Sequence, residues 1–245
     1  MSASVCDNPA VMRGLERQLT ARQAALAAGA GRLGWKTGMG GEAVMAALGT
    51  SGALVGYLTD ATLIADGGTV DVGGWREPVL EPELAIRLGA DLGPDASPAE
   101  AAAAVDAVAA AIEVADVDLP FEDPEALLAG NLFHRGVVLG EFTESRAGLD
   151  LDGVAVDVSV GGRAHAEGAD PLAIVGDLGA VAAHVAAVLA RAGETLRAGD
   201  VVITGSAIPP LPLAPGESYT VEYRGVGSVS VRAAAARERS ADAGT

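Results

Sequence analysis

Residues 79–88, which read VLEPELAIRL, constrain this chain more than any other stretch. In an extended strand the leucine and isoleucine side chains share one face, and Glu81 and Glu83 share the other. The two carboxylates then point the same way, with their Cα atoms roughly 7 Å apart. At this spacing each glutamate can give one oxygen to a single hard cation such as Mg²⁺ or Mn²⁺. Without a cation the pair repels and resists burial.

The alternative interpretation is an edge strand whose acidic face is solvated. Pro82 favours it, because proline has no N–H to donate and is confined to edge strands and bulges. Solvated acidic faces are common in proteins. The residues of this strand alone therefore leave both interpretations open.

The net charge of the chain limits its partners. The 245 residues include 33 acidic and 16 basic side chains, a net charge of −17. This balance argues against binding to nucleic acid or to an anionic membrane surface. An anionic substrate is also repelled unless a cation lies in its site. The single cysteine, Cys6, excludes an internal disulfide framework. With no membrane-length apolar run and no signal-peptide pattern, the sequence predicts a cytoplasmic protein.

A second acidic cluster follows a predicted helix. Residues 97–100, SPAE, form a capping box, and we expect an alanine-rich helix from there to about residue 111. Residues 112–118 then read as a buried strand that carries Glu113 and Asp116. Buried carboxylates need partners or a metal. The alternative is that these acids cap or hydrogen-bond nearby backbone.

Two further segments suggest ligand or subunit contacts. Residues 34–38, GWKTG, place Lys36 among glycines, which suits close approach of the backbone to a ligand. Taken alone, an exposed lysine near a turn is the simpler interpretation. Residues 49–56 read as a loop with an apolar patch, Ala53-Leu54-Val55, that needs cover from a lid or a second subunit.

Five segments in order resemble the 2-keto-4-pentenoate hydratase and 4-oxalocrotonate decarboxylase family of the fumarylacetoacetate hydrolase superfamily. They are GWKTG (34–38), VLEPELAIRLG (79–89), AIEVAD (111–116), GDVVITGS (199–206) and PGESYTVEYRGVGSVSV (215–231). Each motif is weak by itself, but five in order over nearly the whole chain are specific.

The resemblance implies an α+β fold, a fumarylacetoacetase C-terminal-like roll of mixed β-sheet with peripheral helices. The strand-rich C-terminal half of the sequence agrees. We expect residues 1–60 to be an N-terminal helical portion of the same unit, residues 61–232 to be the catalytic domain, and residues 233–245 to be a flexible tail. The family commonly assembles, so we also expect a homo-oligomer.

The resemblance also implies a site. Glu81, Glu83 and Glu113 are expected to hold Mg²⁺ or Mn²⁺, and Lys36 and Glu81 are expected to be catalytic. The cation would chelate the carboxylate and 2-oxygen of a small 2-oxo acid or dienol acid and stabilise the enolate that forms. The expected substrate-binding residues are Asp60, Asn131, His134, Arg135, Thr204 and Ser206.

Two departures from the family pattern bear on the substrate. Many relatives carry an aspartate pair where Asp60 is followed by Ala61, and relatives tend to have an Asp-Asn-x-Ser-Ser-Gly loop where this chain has GNLFHR at 130–135. Arg135 offers a planar fork suited to a carboxylate, and His134 can shuttle a proton near neutral pH. Our hypothesis is that Arg135 selects a substrate with a second polar or anionic end. The alternative is an exposed loop or oligomer contact.

The function implied is a metal-dependent lyase that adds water to a 2-hydroxy-2,4-dienoate. The alternatives are decarboxylation of a 4-oxalocrotonate-like 2-oxo diacid and C–C hydrolysis of an acylpyruvate. A non-enzymatic alternative is a subunit that supports a catalytic partner. The intact set of Lys36 and three glutamates argues against this last alternative, because an idle subunit has no need of convergent carboxylates.

Overall fold

Two β-sheets form the framework of the chain, which the computed structural model describes over residues 4–149 and 151–235. Within these ranges the strands are β1 (Arg32–Gly38), β2 (Leu54–Thr59), β3 (Leu63–Ile64), β4 (Gly68–Asp71), β5 (Pro78–Leu88), β6 (Val105–Asp116), β7 (His134–Leu139), β8 (Val156–Val160), β9 (Arg163–Ala169), β10 (Val201–Ser206), β11 (Leu211–Pro212), β12 (Ser218–Tyr223) and β13 (Gly227–Ala234). The helices are α1 (Pro9–Ala27), α2 (Glu42–Leu48), α3 (Pro98–Ala104), α4 (Pro124–Ala129), α5 (Leu172–Val175) and α6 (Leu178–Arg191).

Both sheets are mixed. The larger one has the strand order β2–β1–β10–β5–β6–β7–β3, and β11 pairs with the start of β5. Its β1–β10 and β3–β7 pairs are parallel, and its other pairs are antiparallel. The smaller sheet has the order β4–β13–β12–β8–β9 and packs against β6 of the larger one. The prediction of an α+β fold with mixed sheets and peripheral helices is confirmed.

Polar side chains cap the first turns of three helices. The side chains of Asn8, Ser97 and Asp177 each accept a hydrogen bond from a backbone N–H in the first turn of α1, α3 and α6. Each cap satisfies a donor that the helix itself leaves without a partner. The capping box at 97–100 therefore starts a helix as expected.

That helix ends earlier than predicted. Residues 105–111 belong to β6, whereas we expected them to continue the alanine-rich helix to residue 111. β6 lies between β5 and β7, and every residue in it except Asp106 is buried. Helix propensity favours alanine by less than 1 kcal/mol per residue. Two hydrogen-bonded neighbours and complete burial between the sheets outweigh that preference.

The expected apolar loop at 49–56 is also corrected. Leu54 and Val55 lie in β2, each only 1% exposed, so this chain already covers them. Because β1 and β2 both belong to the larger sheet, residues 4–60 are more than a helical portion: they supply two strands to the framework.

The C-terminal boundary also differs from the expectation. Residues 233 and 234 end β13 and pair with β4, although we expected the tail to begin at 233. The remainder of the predicted flexible tail, residues 236–245, lies outside the described residues. No helix within the described ranges has both the length and the hydropathy needed to cross a bilayer.

Candidate metal centre and active site

Three glutamates converge where β5 and β6 pair. Glu81 lies directly opposite Glu113 in the antiparallel register, and Glu83 follows two residues along the same face of β5. One carboxylate oxygen from each of Glu81, Glu83 and Glu113 lies within 4.8 Å of the others. The strand alternation read from the sequence thus points Glu81 and Glu83 at one position, and the neighbouring strand adds the third carboxylate.

The free oxygens of this cluster fit a hard cation. Glu83 and Glu113 are fully buried. Glu83 Oε2 accepts a hydrogen bond from the Gly205 N–H at 2.7 Å, but Glu83 Oε1 and Glu113 Oε2 have no hydrogen-bond partner among the described residues. Buried carboxylate oxygens without partners are costly, and oxygen ligands are the ones that Mg²⁺, Mn²⁺ and Ca²⁺ prefer. The donor set therefore fits a divalent cation.

The pKa values of the three carboxyl groups differ. Burial, followed by the charge of Glu113, raises the pKa of Glu81 from 4.5 to about 7. Burial and the charges of Glu113 and Glu81 raise the pKa of Glu83 well above its usual range. Burial alone would raise the pKa of Glu113, but the charge of Lys36 and the hydrogen bond to His134 outweigh it and lower that pKa. Glu113 is thus the carboxylate that stays ionised.

Lys36 reaches this cluster from β1. It is 3% exposed, its ammonium group pairs with Glu113 Oε1, and it also donates to the Leu132 carbonyl oxygen at 3.2 Å. Gly56 lies opposite it on β2, and a Cβ at Gly56 would lie 2.8 Å from Lys36 Cγ. Only glycine leaves room for the lysine stem there. The lysine is therefore a buried member of the cluster and not an exposed residue at a turn.

A left-handed turn places several groups around Lys36. Asn131, Leu132 and Phe133 have φ values of 53°, 53° and 66°, a conformation that L-residues seldom adopt in succession. The Asn131 side chain holds the turn to β2: its Oδ1 accepts from the Tyr57 N–H at 2.9 Å, and its Nδ2 donates to the Tyr57 carbonyl at 3.0 Å. The turn thereby directs the Leu132 carbonyl at Lys36.

His134 follows the turn and contacts the glutamate cluster. Its Nδ1 lies 2.7 Å from Glu113 Oε1, and its Nε2 lies 2.9 Å from the Thr62 hydroxyl. The Thr62 hydroxyl is also 3.1 Å from the Thr59 carbonyl, to which it can donate. The ring is 7% exposed and fixes one oxygen of Glu113. Thr62, which no motif in the sequence singles out, is the residue that orients this ring.

The cluster opens into a cavity of about 1130 Å³. Lys36 and Glu81 line its inner end, together with Thr204, Gly205 and Ser206 from the end of β10. The Thr204 hydroxyl donates to the Leu84 carbonyl at 3.0 Å, and the Ser206 hydroxyl donates to the Ile208 carbonyl at 2.6 Å. Both hydroxyls donate their hydrogens to backbone carbonyl groups, so each oxygen retains only its capacity to accept a hydrogen bond.

The structure does not bring all the predicted substrate-binding residues to this cavity. Asp60 is exposed and accepts a hydrogen bond from the Gly31 N–H at 2.6 Å. The Arg135 guanidinium pairs with Asp118 at 2.7 Å. Neither residue lines the cavity, and neither do Asn131 and His134, whose side chains hold the turn and Glu113.

Sequence reasoning also missed parts of the cavity wall. Phe121 and Ile174 line it and are 42% and 55% exposed, unusually accessible for large apolar side chains. Phe121 packs edge-on against Phe133, with ring centroids 5.3 Å apart. A usable signal was the scarcity of aromatic residues: two of only three phenylalanines lie at 121 and 133. His184 of α6 also lines the cavity, and its Nε2 lies 2.8 Å from the Ala53 carbonyl.

Comparisons with known proteins identify a family and several similar sequences. Residues 38–233 match the model of the fumarylacetoacetate (FAA) hydrolase C-terminal family. A 4-oxalocrotonate decarboxylase from Pseudomonas sp is 32% identical over 205 residues, which cover 82% of this chain and 78% of that protein. A 2-keto-4-pentenoate hydratase from Paraburkholderia xenovorans (strain LB400) is 30% identical over 203 residues, which cover 80% of this chain and 74% of that protein.

A solved structure is similar along most of the fold. The 4-oxalocrotonate decarboxylase from Pseudomonas putida G7, complexed with magnesium and adipate, superposes with a TM-score of 0.79 and 30% identity. The match covers 88% of this chain and 83% of that one.

Proposed function

The chain belongs to the fumarylacetoacetate hydrolase family, and we propose on this basis that it is a divalent-metal-dependent lyase that adds water to a 2-hydroxy-2,4-dienoate. The observation that carries the proposal is the convergence of Glu81, Glu83 and Glu113 beside Lys36 at the inner end of a large cavity. A subunit that only supported a partner would have no need to bury three carboxylates facing one position.

We propose that Glu81, Glu83 and Glu113 hold Mg²⁺ or Mn²⁺. The decarboxylase from Pseudomonas putida G7 was solved with magnesium, which supports this choice of ion. A bound cation would supply positive charge where negative charge develops on a substrate oxygen. In a chain of net charge −17 it would also offset the repulsion of an anionic substrate.

Lys36 and Glu81 are the residues placed to move protons. In the proposed reaction a proton leaves the 2-hydroxyl and a proton is added at C5, which gives the α,β-unsaturated 2-oxo acid. Water then adds at C4. Lys36 Nζ is held by Glu113 and the Leu132 carbonyl, and Glu81 is the carboxylate of the three that lines the cavity. The geometry suits Lys36 as the partner of the substrate oxygen and Glu81 as the acceptor or donor nearest the carbon chain.

A second candidate is decarboxylation of a 4-oxalocrotonate-like 2-oxo diacid. The similarity to 4-oxalocrotonate decarboxylases in sequence and in structure favours it. This reaction would use the same cluster, because the electrons released with CO₂ would also be accepted at the 2-oxygen. The two candidates differ in what lies at the far end of the substrate.

We further propose that the chain forms a cytoplasmic homo-oligomer. The loop argument from the sequence fails because Leu54 and Val55 are covered, so the proposal rests on other side chains. Leu63 and Leu119 are 45% and 41% exposed and lie outside the cavity lining. The buried free thiol of Cys6 fits a reducing compartment. A monomer by light scattering at micromolar concentration would contradict the assembly.

The function is tested with a panel of 2-hydroxy-2,4-dienoates and 2-oxo diacids in the presence of Mg²⁺, with products identified by mass spectrometry. We expect a gain of one water, dependence on the metal, and loss of turnover in Glu81→Gln with the fold retained. Exposed Glu122→Gln is the matched control. Loss of CO₂ would select the decarboxylase, and turnover that survives a strong chelator would contradict both candidates.

A further inference from the structure

The cavity continues well beyond the carboxylates along strands β5 and β6. Val79 pairs with Ala115 in the same register in which Glu81 pairs with Glu113, and the Val117 N–H donates to the Glu77 carbonyl at 3.0 Å. Side chains alternate in strands, so Val79, Ala115 and Val117 face the cavity as the two glutamates do. The floor is therefore apolar at about 7 Å beyond the carboxylates, and at about 13 Å the apolar Val117 lies beside Glu77.

The walls over this floor are apolar as well. Phe133 is 3% exposed, and Phe121 meets it edge-on. Ile174, in the short helix α5, lines the cavity with more than half of its surface open. Aromatic and aliphatic side chains left open in a cavity provide contact area for an apolar ligand group.

The charges along the outer part of the cavity are net negative, with Arg76 against Glu77 and Asp177, and this balance disfavours a second carboxylate. Lys36 and Arg76 are the lysine and arginine residues among the described lining residues. Lys36 is paired with Glu113 at the inner end, and Arg76 is exposed beside Glu77, with its Nη1 donating to the Asp118 carbonyl at 3.2 Å. Asp177 adds another negative charge to the lining.

We propose that the substrate carries an apolar alkyl or aryl substituent of four or more carbons beyond C5, held over Val79, Ala115 and Val117 and against Phe121, Phe133 and Ile174. The inference rests on the proposed function, because it takes the acid end to lie at the glutamates. A five-carbon dienoate would leave most of the floor and walls uncovered. The volume of about 1130 Å³ agrees, since it exceeds the ~300–1,000 Å³ usual for ligand sites.

The test compares 2-hydroxy-2,4-dienoates that carry hydrogen, methyl, butyl, phenyl or a terminal carboxylate beyond C5. We expect kcat/KM for water addition to rise about fourfold for each methylene that becomes buried, with the phenyl and butyl compounds as the best substrates. The compound with a terminal carboxylate should be the poorest. A preference for the unsubstituted or the carboxylate compound would overturn the proposal.

Two substitutions at one rim position give matched variants. Ile174→Ser should lower kcat/KM for the butyl and phenyl compounds about tenfold more than for the unsubstituted one. Leu63→Ser, at a position outside the cavity that is 45% exposed against 55% for Ile174, should change kcat/KM for both kinds of compound by the same factor. Ile174→Arg should shift preference toward the terminal carboxylate, because it adds a second cation to the outer cavity beside Arg76. The same response from Ile174→Ser and Leu63→Ser would contradict the assignment.

Calorimetric binding separates this inference from the function itself. With Mg²⁺ present, 2-oxononanoate should bind at least tenfold more tightly than 2-oxopentanoate or 2-oxononanedioate. If the three acids bind with this order of affinity but no dienoate is hydrated, the proposed function fails and the apolar subsite stands. If dienoates are hydrated without any preference for the apolar tail, the function stands and the subsite fails. Absence of both binding and turnover would overturn both.

Discussion

Glu81 and Glu113 are direct cross-strand partners, but their surroundings shift their pKa values in opposite directions. Glu113 receives both Lys36 and His134, which lower its pKa. Lys36 and His134 pair with Glu113 and not with Glu81. Burial, followed by the charge of Glu113, raises the pKa of Glu81 to about 7. One carboxylate is thus kept ionised while its partner is poised to gain or lose a proton near neutral pH.

The metal-free protein should lose stability as the pH rises from about 5 to about 8. Between 4.5 and about 7 the folded state retains a proton on Glu81 that the unfolded state has lost, so the free energy of unfolding falls as the pH increases through this window. The raised pKa of Glu83 acts in the same direction. Thermal unfolding at a series of pH values in the presence of a chelator would measure this loss of stability. Saturating Mg²⁺ and Glu81→Gln should each flatten the slope, and stability that rises with pH would contradict this.

His134→Ala should weaken binding of Mn²⁺ by roughly 10–100-fold, the range usual for groups that hold a metal ligand in place. The substitution frees Glu113 Oε1 from the ring that orients it. Calorimetric titration with Mn²⁺ measures the change. His165→Ala, at an exposed position of β9, is the control and should leave the affinity for Mn²⁺ unchanged. Equal affinities for both variants would show that the ring does not position Glu113.

Asn131→Ala should lower the stability of the fold by about 1–3 kcal/mol, since two backbone groups of Tyr57 lose their partners. For a chain of this size each kcal/mol shifts Tm by roughly 2–4 °C. Asn131→Gly removes the same hydrogen bonds but adopts a φ of 53° without strain. The glycine variant should therefore unfold at a higher temperature than the alanine variant. The reverse order would argue against strain in the turn.

Lys36→Met should lower kcat by about 10²–10⁴-fold, the usual contribution of a positioned proton donor or acceptor. The expected effect falls on kcat more than on KM, because Lys36 Nζ is placed to exchange a proton with the substrate oxygen. Steady-state kinetics at saturating Mg²⁺ separates the two parameters. A change confined to KM would instead assign Lys36 to binding of the substrate carboxylate.

The sequence predicted the parts of the site that depend on local alternation and on recognised motifs. Alternation along β5 places Glu81 and Glu83 on one face whatever the fold. The position of Glu113 beside them came from the family resemblance, because periodicity within one segment says nothing about which strand lies next to it. For the same reason the alanine-rich stretch from Val105 was assigned to a helix, although its place between two strands makes it β6.

The wall of the cavity could not be predicted in this way. Phe121, Ile174 and Val117 come from separate segments that only the assembled fold brings together. Arg135 illustrates the opposite error: its chemistry suits a carboxylate, but Asp118 of the same chain already provides one. An unpaired charge cannot be recognised from sequence, because its partner is a product of the fold.

In the left-handed turn at residues 131–133, substitution of a side chain and a change of loop length have different consequences for the site. Its backbone serves the inner end of the cavity through the Leu132 carbonyl on Lys36, and Leu132 and Phe133 are also part of the cavity lining. Exchanging the side chain at 133 alters the shape offered to a substrate tail without moving the lysine. Insertion or deletion of one residue there would shift both. Evolution of new substrate preferences in this scaffold should therefore proceed by substitution in the turn, at constant loop length.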